Sequence, residues 1–436
     1  MSTKIPRKFK QLVGITVFSL LTGISSADYF AYVPDISSDE KSKYLHVVNT
    51  DYDVLVDSIV LNGDLRDLVL SNKGDFVFVS SVITEGNLSQ SAVNVVSTQT
   101  NELSATIYID QEYVRGLTIT SDDSTLFVTD TTGVTKIIEP TFKFERSHLE
   151  TTYAGMATVL SSDDNYLFVV GTDGGNNDGV SVVDVSQGTM SEVATYSLGT
   201  GVGVNNIIFD PLYKELYVLN RVAGQLINLS IENYDDANNI NIVQNSGNTL
   251  RQFPTDSYPV DLTMNADSSE LVVAFSYLYD GVGYGDGYIS FLDPTDLNGS
   301  SNYDLFLSPE KGEFAKDGEG AIHPLSIAYD DRGILHIVKQ IWNEYSGTYV
   351  TSAYDVTGSR SGIRSIDEVN PVHLGKRASN QATGKFVGVD CSYCPTGLEN
   401  EIQPVIRPSS LNPFMLLFAL IILAGYRIKR NETHHS

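Results

Sequence analysis

Cysteine, tryptophan and positive charge are all scarce in this sequence, and each shortage excludes something. The 436 residues hold two cysteines, Cys391 and Cys394, too few for a disulfide scaffold or a four-cysteine zinc site. They stand together as Cys391-Ser-Tyr-Cys394, with no second CxxC in the chain and no histidine pair beside them. That spacing reads as a local disulfide in an oxidising compartment, with a redox role as the alternative. Trp342 is the sole tryptophan and reads as packing at the edge of a sheet. Lys and Arg number 28 against 54 Asp and Glu, a formal net charge of −26. A surface this acidic repels nucleic acid and anionic lipid headgroups, so neither is an expected partner. Catalytic signatures are missing too: no G-x-S-x-G, no H-E-x-x-H and no phosphate loop occurs.

Long apolar runs are confined to the two ends. Lys4, Arg7, Lys8 and Lys10 precede an apolar stretch from Leu12 to Ile24, and Ser25-Ser-Ala27 follows with small residues. This is the pattern of a signal peptide over residues 1–27. Near the other end, Leu411 to Tyr426 is apolar on every side and is followed by Arg427, Lys429 and Arg430. Sixteen residues rise about 24 Å as a helix, and basic residues at the tip can snorkel to reach the headgroups. The expected layout is a folded domain over 28–390, a linker with the CxxC over 391–410, a transmembrane helix over 411–426, and a basic cytoplasmic tip over 427–436. Linker, short span and basic tip resemble the C-terminal sorting tails of Gram-negative surface proteins. Where those tails usually carry a Gly-Gly or Pro-Glu-Pro signature, this chain has Arg407-Pro-Ser-Ser410. An exported, periplasmic or cell-surface protein with a monomeric ectodomain follows.

What fills the middle is a repeat. Val33, Val79, Val128, Val169, Val218, Val273 and Ile337 each sit near the end of a short apolar strand, at intervals of 41 to 64 residues. Six copies extend to an apolar strand, a polar turn and a second strand. Leu117 to Val128 and Leu262 to Val273 are the clearest. Turns such as Ser71-Asn-Lys-Gly74, Ser161-Ser-Asp-Asp164 and Asp330-Asp-Arg-Gly333 suit tight hairpins. Twenty-four Tyr and 18 Phe favour strands over helices. A period near 40 to 50 residues with several strands per unit is the mark of a propeller blade. The expected fold is all-β, a seven-bladed β-propeller followed by the C-terminal transmembrane helix. The mature chain begins at Asp28 half-way through a repeat, so the missing inner strand is expected from residues 385–390. Pairing that strand with residues 29–33 would leave no open edge.

Glu215-Leu-Tyr-Val-Leu-Asn220 and Val180-Ser-Val-Val-Asp184 resemble the YVTN-type repeats of surface-layer and lactonase-like seven-bladed propellers. The likeness spans about residues 28 to 390. It implies architecture more than activity, since the fold hosts both binding proteins and enzymes.

Two groups of residues are candidate sites. Those just before each inner strand should ring the mouth of the central channel: Arg66, Arg115, Asn205, Asp261 and His323. Such a ring could grip a carboxylate or a sugar, with Arg suited to bidentate binding, or it could serve hydrogen bonding between blades. Insertions gather on the same face, in Gly171–Gly179, Tyr279–Gly287 and Ser308–Pro324. Asp173, Asn176, Asp178, Asp280 and Asp286 would be oxygen ligands for Ca²⁺, or parts of ordinary solvated turns. His46, His148, His336 and His373 show no ligand spacing.

The leading expectation is a non-catalytic binding, adhesion or protein-interaction module, tethered to the membrane by its tail. It would take a protein, glycan or small molecule on the loop-rich face. The resemblance supplies the alternative, a lactonase-like hydrolase with its site at the channel mouth.

Overall fold

The computed structural model describes most of residues 28–391, leaving out chiefly 35–43, 279–286, 307–318, 357–371 and 374–386. The leader, Cys394 and the expected transmembrane segment lie outside the described residues. Among the described residues no helix is long and apolar enough to cross a membrane.

Strands dominate because apolar residues alternate or run continuously over five to ten positions between turn-forming clusters. Among the described residues they form seven sheets, numbered here as blades 1 to 7. Blade 2 is typical: Asp64–Leu70, Phe76–Glu85, Leu88–Ser97 and Glu102–Ile109 lie side by side, all antiparallel. Blade 3 begins at Leu117–Ile119, blade 4 at Ala154–Leu160, blade 5 at Val204–Asp210, blade 6 at Ser257–Met264 and blade 7 at Glu319–Tyr329. These six sheets are each drawn from one contiguous stretch of chain. Blade 1 combines both ends, with Val387–Cys391 pairing Asp28–Pro34 ahead of Tyr44–Asn49 and Val54–Val60. Each blade's first strand touches the first strand of the next blade, and Val387–Cys391 touches those of blades 7 and 2, so the ring closes. The fold is an all-β propeller. Its closing strand lies two residues later than the sequence suggested, and Cys391 belongs to that strand rather than to a linker.

All seven anchor residues fall on the second strand of a blade, and each is almost completely buried. The core therefore consists of apolar layers between neighbouring blades. Phe168, Val182, Ile207, Leu216 and Val218, for example, pack blade 4 on blade 5.

The turn between first and second strands repeats one geometry. Its fourth residue, Gly74, Asp123, Asp164, Ser268 or Gly333, has φ between 57° and 77°, and its N–H donates to the carbonyl of the first residue. Two blades place aspartate at this left-handed position, and the carboxylates serve the preceding blade. Asp123 accepts the N–H groups of Asn72 and Lys73, and Asp164 accepts the backbone N–H and the hydroxyl O–H of Ser121. A conformation unfavourable for most side chains is thereby repaid by charge-assisted bonds between blades.

Blade 1 also buries a histidine. His46 lies on Tyr44–Asn49 with Nδ1 2.9 Å from Ser58 Oγ, while Nε2 has no partner among the described residues. Burial lowers its pKa to about 4. The unfolded chain takes up this proton near pH 6.5 and the folded chain does not, so stability falls as pH drops from about 6.5 towards 4. A loss of roughly 2 kcal/mol between pH 7 and pH 4.5 is expected from this group, and His46→Gln should remove most of it. Urea titrations of both proteins at the two pH values would check this; equal acid losses would show that His46 is not responsible.

Candidate functional site

The innermost strand of a propeller blade is covered by its own second strand and by both neighbouring blades. In each of blades 2, 4, 5, 6 and 7 the ladder between first and second strands skips at the channel mouth, a β-bulge. The bulge residues are Arg66, Met156, Asn205, Val260 and Leu325, and Arg115 holds the equivalent place just ahead of Leu117–Ile119 in blade 3. Counting back from the anchors gives the same set: Arg66, Arg115, Met156, Asn205 and Val260 each precede their anchor by 13 residues, and Leu325 precedes Ile337 by 12.

This register corrects two of the five residues expected at the mouth. Asp261 sits one place beyond the bulge and points between blades: its Oδ1 accepts from Asn206 Nδ2 at 2.5 Å, and its Oδ2 accepts from Ser326 Oγ at 2.8 Å and the Ile327 N–H at 3.0 Å. Asp67 does the same between blades 2 and 3, accepting the Leu117 N–H at 2.9 Å. His323 lies within the strand Glu319–Tyr329, two residues before the bulge at Leu325, and its strand absorbs the end of the expected Ser308–Pro324 insertion. In blade 3 the clamp position is Gly116, where a Cβ would meet Thr129 Oγ1 at 2.9 Å and the Ala157 Cα at 3.1 Å, so packing replaces the bond.

Arg66, Arg115 and Asn205 remain at the mouth. Asn205 Nδ2 donates to the Val260 carbonyl at 3.2 Å, and Oδ1 has no partner among the described residues. Arg115 Nη1 lies 3.2 Å from Met156 Sδ, a weak acceptor. Burial lowers the pKa of Arg115, and the charge of Arg66 lowers it further. Among the described residues neither arginine has an ion-pair partner. Two like charges side by side, unneutralised in a chain of net charge −26, form a local well for an anion. Sequence reasoning missed Arg221, in the loop after Glu215–Asn220, which stacks on the Tyr258 ring at 4.1 Å.

Of the expected Ca²⁺ ligands, Asp173, Asn176 and Asp178 are described, and each is engaged in hydrogen bonds within the protein. Asp280 and Asp286 lie outside the described residues. Most of Gly171–Gly179 is strand, with Gly171 opposite Gly179, and only Asp173–Asn176 forms the turn. There the Asp173 carboxylate accepts from Asn177 Nδ2 at 2.7 Å and the Gly175 N–H at 2.9 Å, while the buried Asp178 accepts the Gly203 N–H at 2.7 Å. Asn176 offers its carbonyl to Gly201 N–H at 2.8 Å. Among the described residues no group of three or more His, Cys, Asp and Glu side chains could hold a metal ion.

One further cluster carries reactive residue types. Asp130 Oδ1 accepts the Thr132 hydroxyl at 2.5 Å, while His148 Nε2 is 3.2 Å from that hydroxyl and its Nδ1 3.6 Å from Asp130 Oδ2. The hydroxyl proton goes to the carboxylate rather than to the imidazole, so the group pins a turn to the outer strand Glu145–Glu150 and is not poised as a nucleophile.

No protein-family model and no curated protein matches the sequence. Solved structures do. A periplasmic gluconolactonase of Pseudomonas aeruginosa is similar at 13% identity and a TM-score of 0.53, over 83% of this chain and 99% of that one. A protein from Lactobacillus plantarum is similar at 15% identity and 0.52, over 83% and 99%. A candidate 6-phosphogluconolactonase of Bacteroides uniformis gives 17% and 0.52, over 83% and 100%. The fold is that of the lactonase-like β-propellers. At these identities the likeness concerns the fold alone.

Proposed function

We propose that this lactonase-like propeller is an exported, membrane-tethered binding module that takes an anionic small molecule at its channel mouth without turning it over. The observation that supports it is the pairing of Arg66 with Arg115, which lack a carboxylate partner among the described residues. Guanidinium groups hold carboxylates through two parallel bonds, and a bound anion would relieve the repulsion between the pair. The leader and the apolar tail support the location.

Calorimetry on the full-length chain in lipid nanodiscs, with gluconate and acetate as probes, tests this reading. Arg66→Gln and Arg115→Gln should each weaken binding about tenfold or more, the loss expected for a charge-assisted bond. Unchanged affinity in both variants would end the proposal. Turnover of a lactone probe that is lost in the same variants would favour the hydrolase alternative.

A further inference from the structure

Asp123 and Asp164 each accept an N–H from the second residue of the preceding blade's turn. Between blades 5 and 6 neither half of that bond is present. The donor position is Pro211, which has no N–H, and Ser268 stands where the accepting aspartate would be. Beside this break lies an excess of buried acceptors. Asp210 and Asn228 are completely buried, yet Asp210 Oδ2 and Asn228 Oδ1 have no hydrogen-bond partner among the described residues.

Register and hydrogen bonds bring the two atoms to one place. Tyr217 and Leu226 mark the side of blade 5 that packs on blade 6, and Glu215 and Asn228 share it. Asp210 stands opposite Glu215 in the ladder. Asn228 Nδ2 donates to Glu215 Oε2 at 2.8 Å, so Oδ1, the other arm of the same amide, lies close by. The Tyr217 hydroxyl is 3.1 Å from Glu215 Oε2 and 3.2 Å from the Pro294 carbonyl of blade 6, one proton facing two acceptors. Burial raises the pKa of that hydroxyl, and the charges of Glu215 and Asp210 raise it further, so the proton stays in place. Neither carboxylate has an ion-pair partner among the described residues. Lys214 turns to the other side of the blade, with Nζ 4.4 Å from the Tyr234 ring centroid.

We infer that the seam between blades 5 and 6 holds a Ca²⁺ ion, bound by Asp210 Oδ2, Asn228 Oδ1 and the Pro294 carbonyl, with Glu215 supplying a second negative charge. Every group on offer is an oxygen, and carboxylate, amide and backbone carbonyl together suit a hard cation rather than a transition metal. A buried carboxylate without a positive partner is costly, and a bound cation removes that cost. A water molecule could donate to both atoms but would leave two negative charges uncompensated. With two acidic side chains and neutral oxygens besides, the set differs from a cluster of three or more His, Cys, Asp and Glu, which the described residues lack. The ion ties blade 5 to blade 6 where the aspartate bond is missing. It lies at the turn end of the inner strand, away from the mouth, and is independent of the anion reading.

The test is a calorimetric titration of the full-length chain in zwitterionic nanodiscs, stripped of divalent ions by a chelator, with Ca²⁺ and with Mg²⁺. One saturable Ca²⁺ site is expected, with Mg²⁺ about tenfold weaker or more, because Mg²⁺ demands near-ideal octahedral geometry and gives up water reluctantly. Asp210→Asn should lower Ca²⁺ affinity about tenfold or more, and Glu215→Gln about tenfold. Asp173→Asn removes the same charge from an exposed turn and should change nothing. Equal losses in Asp210→Asn and Asp173→Asn would mean generic charge screening and overturn the inference. So would the lack of a saturable Ca²⁺ isotherm, which would leave water as the partner of both atoms. Mg²⁺ binding as tightly as Ca²⁺ would refute the calcium assignment. Should Asp210→Asn fail to fold, terbium luminescence on the wild-type chain decides. Tyrosine-excited emission that Ca²⁺ displaces and Tyr217→Phe lowers is expected, and emission unchanged in Tyr217→Phe would place the ion elsewhere.

Discussion

Ending the chain at Lys385 is expected to abolish cooperative folding, whereas ending it at Ser392 should leave one sharp transition. The strand Val387–Cys391 is the innermost strand of blade 1, and its loss strips Asp28–Pro34 of five consecutive pairings, from Asp28↔Cys391 to Tyr32↔Val387. Backbone N–H and C=O groups at that edge would open onto the channel without partners. The apolar layer formed by Ala31, Val33, Val48, Leu325 and Val338 joins blade 1 to blade 7, so the damage spreads to the ring's seam. Urea unfolding followed by circular dichroism distinguishes the cases. A chain ending at Lys385 that unfolds at the same midpoint and slope as the longer one would show that the seam does not hold the ring.

Asp261→Ala should be the most damaging single substitution at the channel, by about 4 kcal/mol. Its carboxylate is buried and joins three blades: Asn206 of blade 5 donates to one oxygen, and Ser326 and the Ile327 N–H of blade 7 donate to the other. Bonds to a charged acceptor contribute about 1.5–3 kcal/mol each, and donors stranded out of water cost about 1–3 kcal/mol. Asp261→Asn keeps one acceptor and should lose about half as much. By contrast Asp173→Ala, in an exposed turn, should fall within about 0.5 kcal/mol of wild type. Equilibrium denaturation of the three proteins orders them, and a small loss for Asp261→Ala would mean that the clamp is dispensable.

The blade repeat was legible because its signal is hydrophobic and periodic. Val79, Val128 or Val218 can sit in one kind of place only, the second strand between two blades, and all seven anchors went there. Closure was legible for a similar reason: the first copy of the repeat, at Asp28–Pro34, lacks an inner strand ahead of it and needs a partner. The mouth was harder to read. Aligned on the repeat, Arg66, Arg115 and Asn205 share one register position, whereas Asp261 lies one residue beyond it and His323 two before it, because a bulge shifts the count by one residue. Counted from the anchors, the equivalent places are Val260, 13 residues before Val273, and Leu325, 12 before Ile337. Turns rich in Gly and Asp are ambiguous in another way. Aspartate in a tight turn suits cation binding and the capping of its own backbone equally well on composition, and only the hydrogen bonds of Asp173 and Asp178 distinguish the two.

In blades 2, 4, 5, 6 and 7 a bulge sets a residue of the inner strand outside the ladder, and only some of these residues, Met156, Val260 and Leu325, also pack against the layers between blades. Residue type varies widely there, with arginine, methionine, asparagine, valine and leucine at equivalent places. One residue further on, Asp67, Gly116, Asn206 and Asp261 are bound to their neighbours by bonds or by contact. The ring thus keeps its writable positions beside its fixed ones, so a scaffold of this kind can exchange one ligand for another by a few changes at the rim while every blade stays in place.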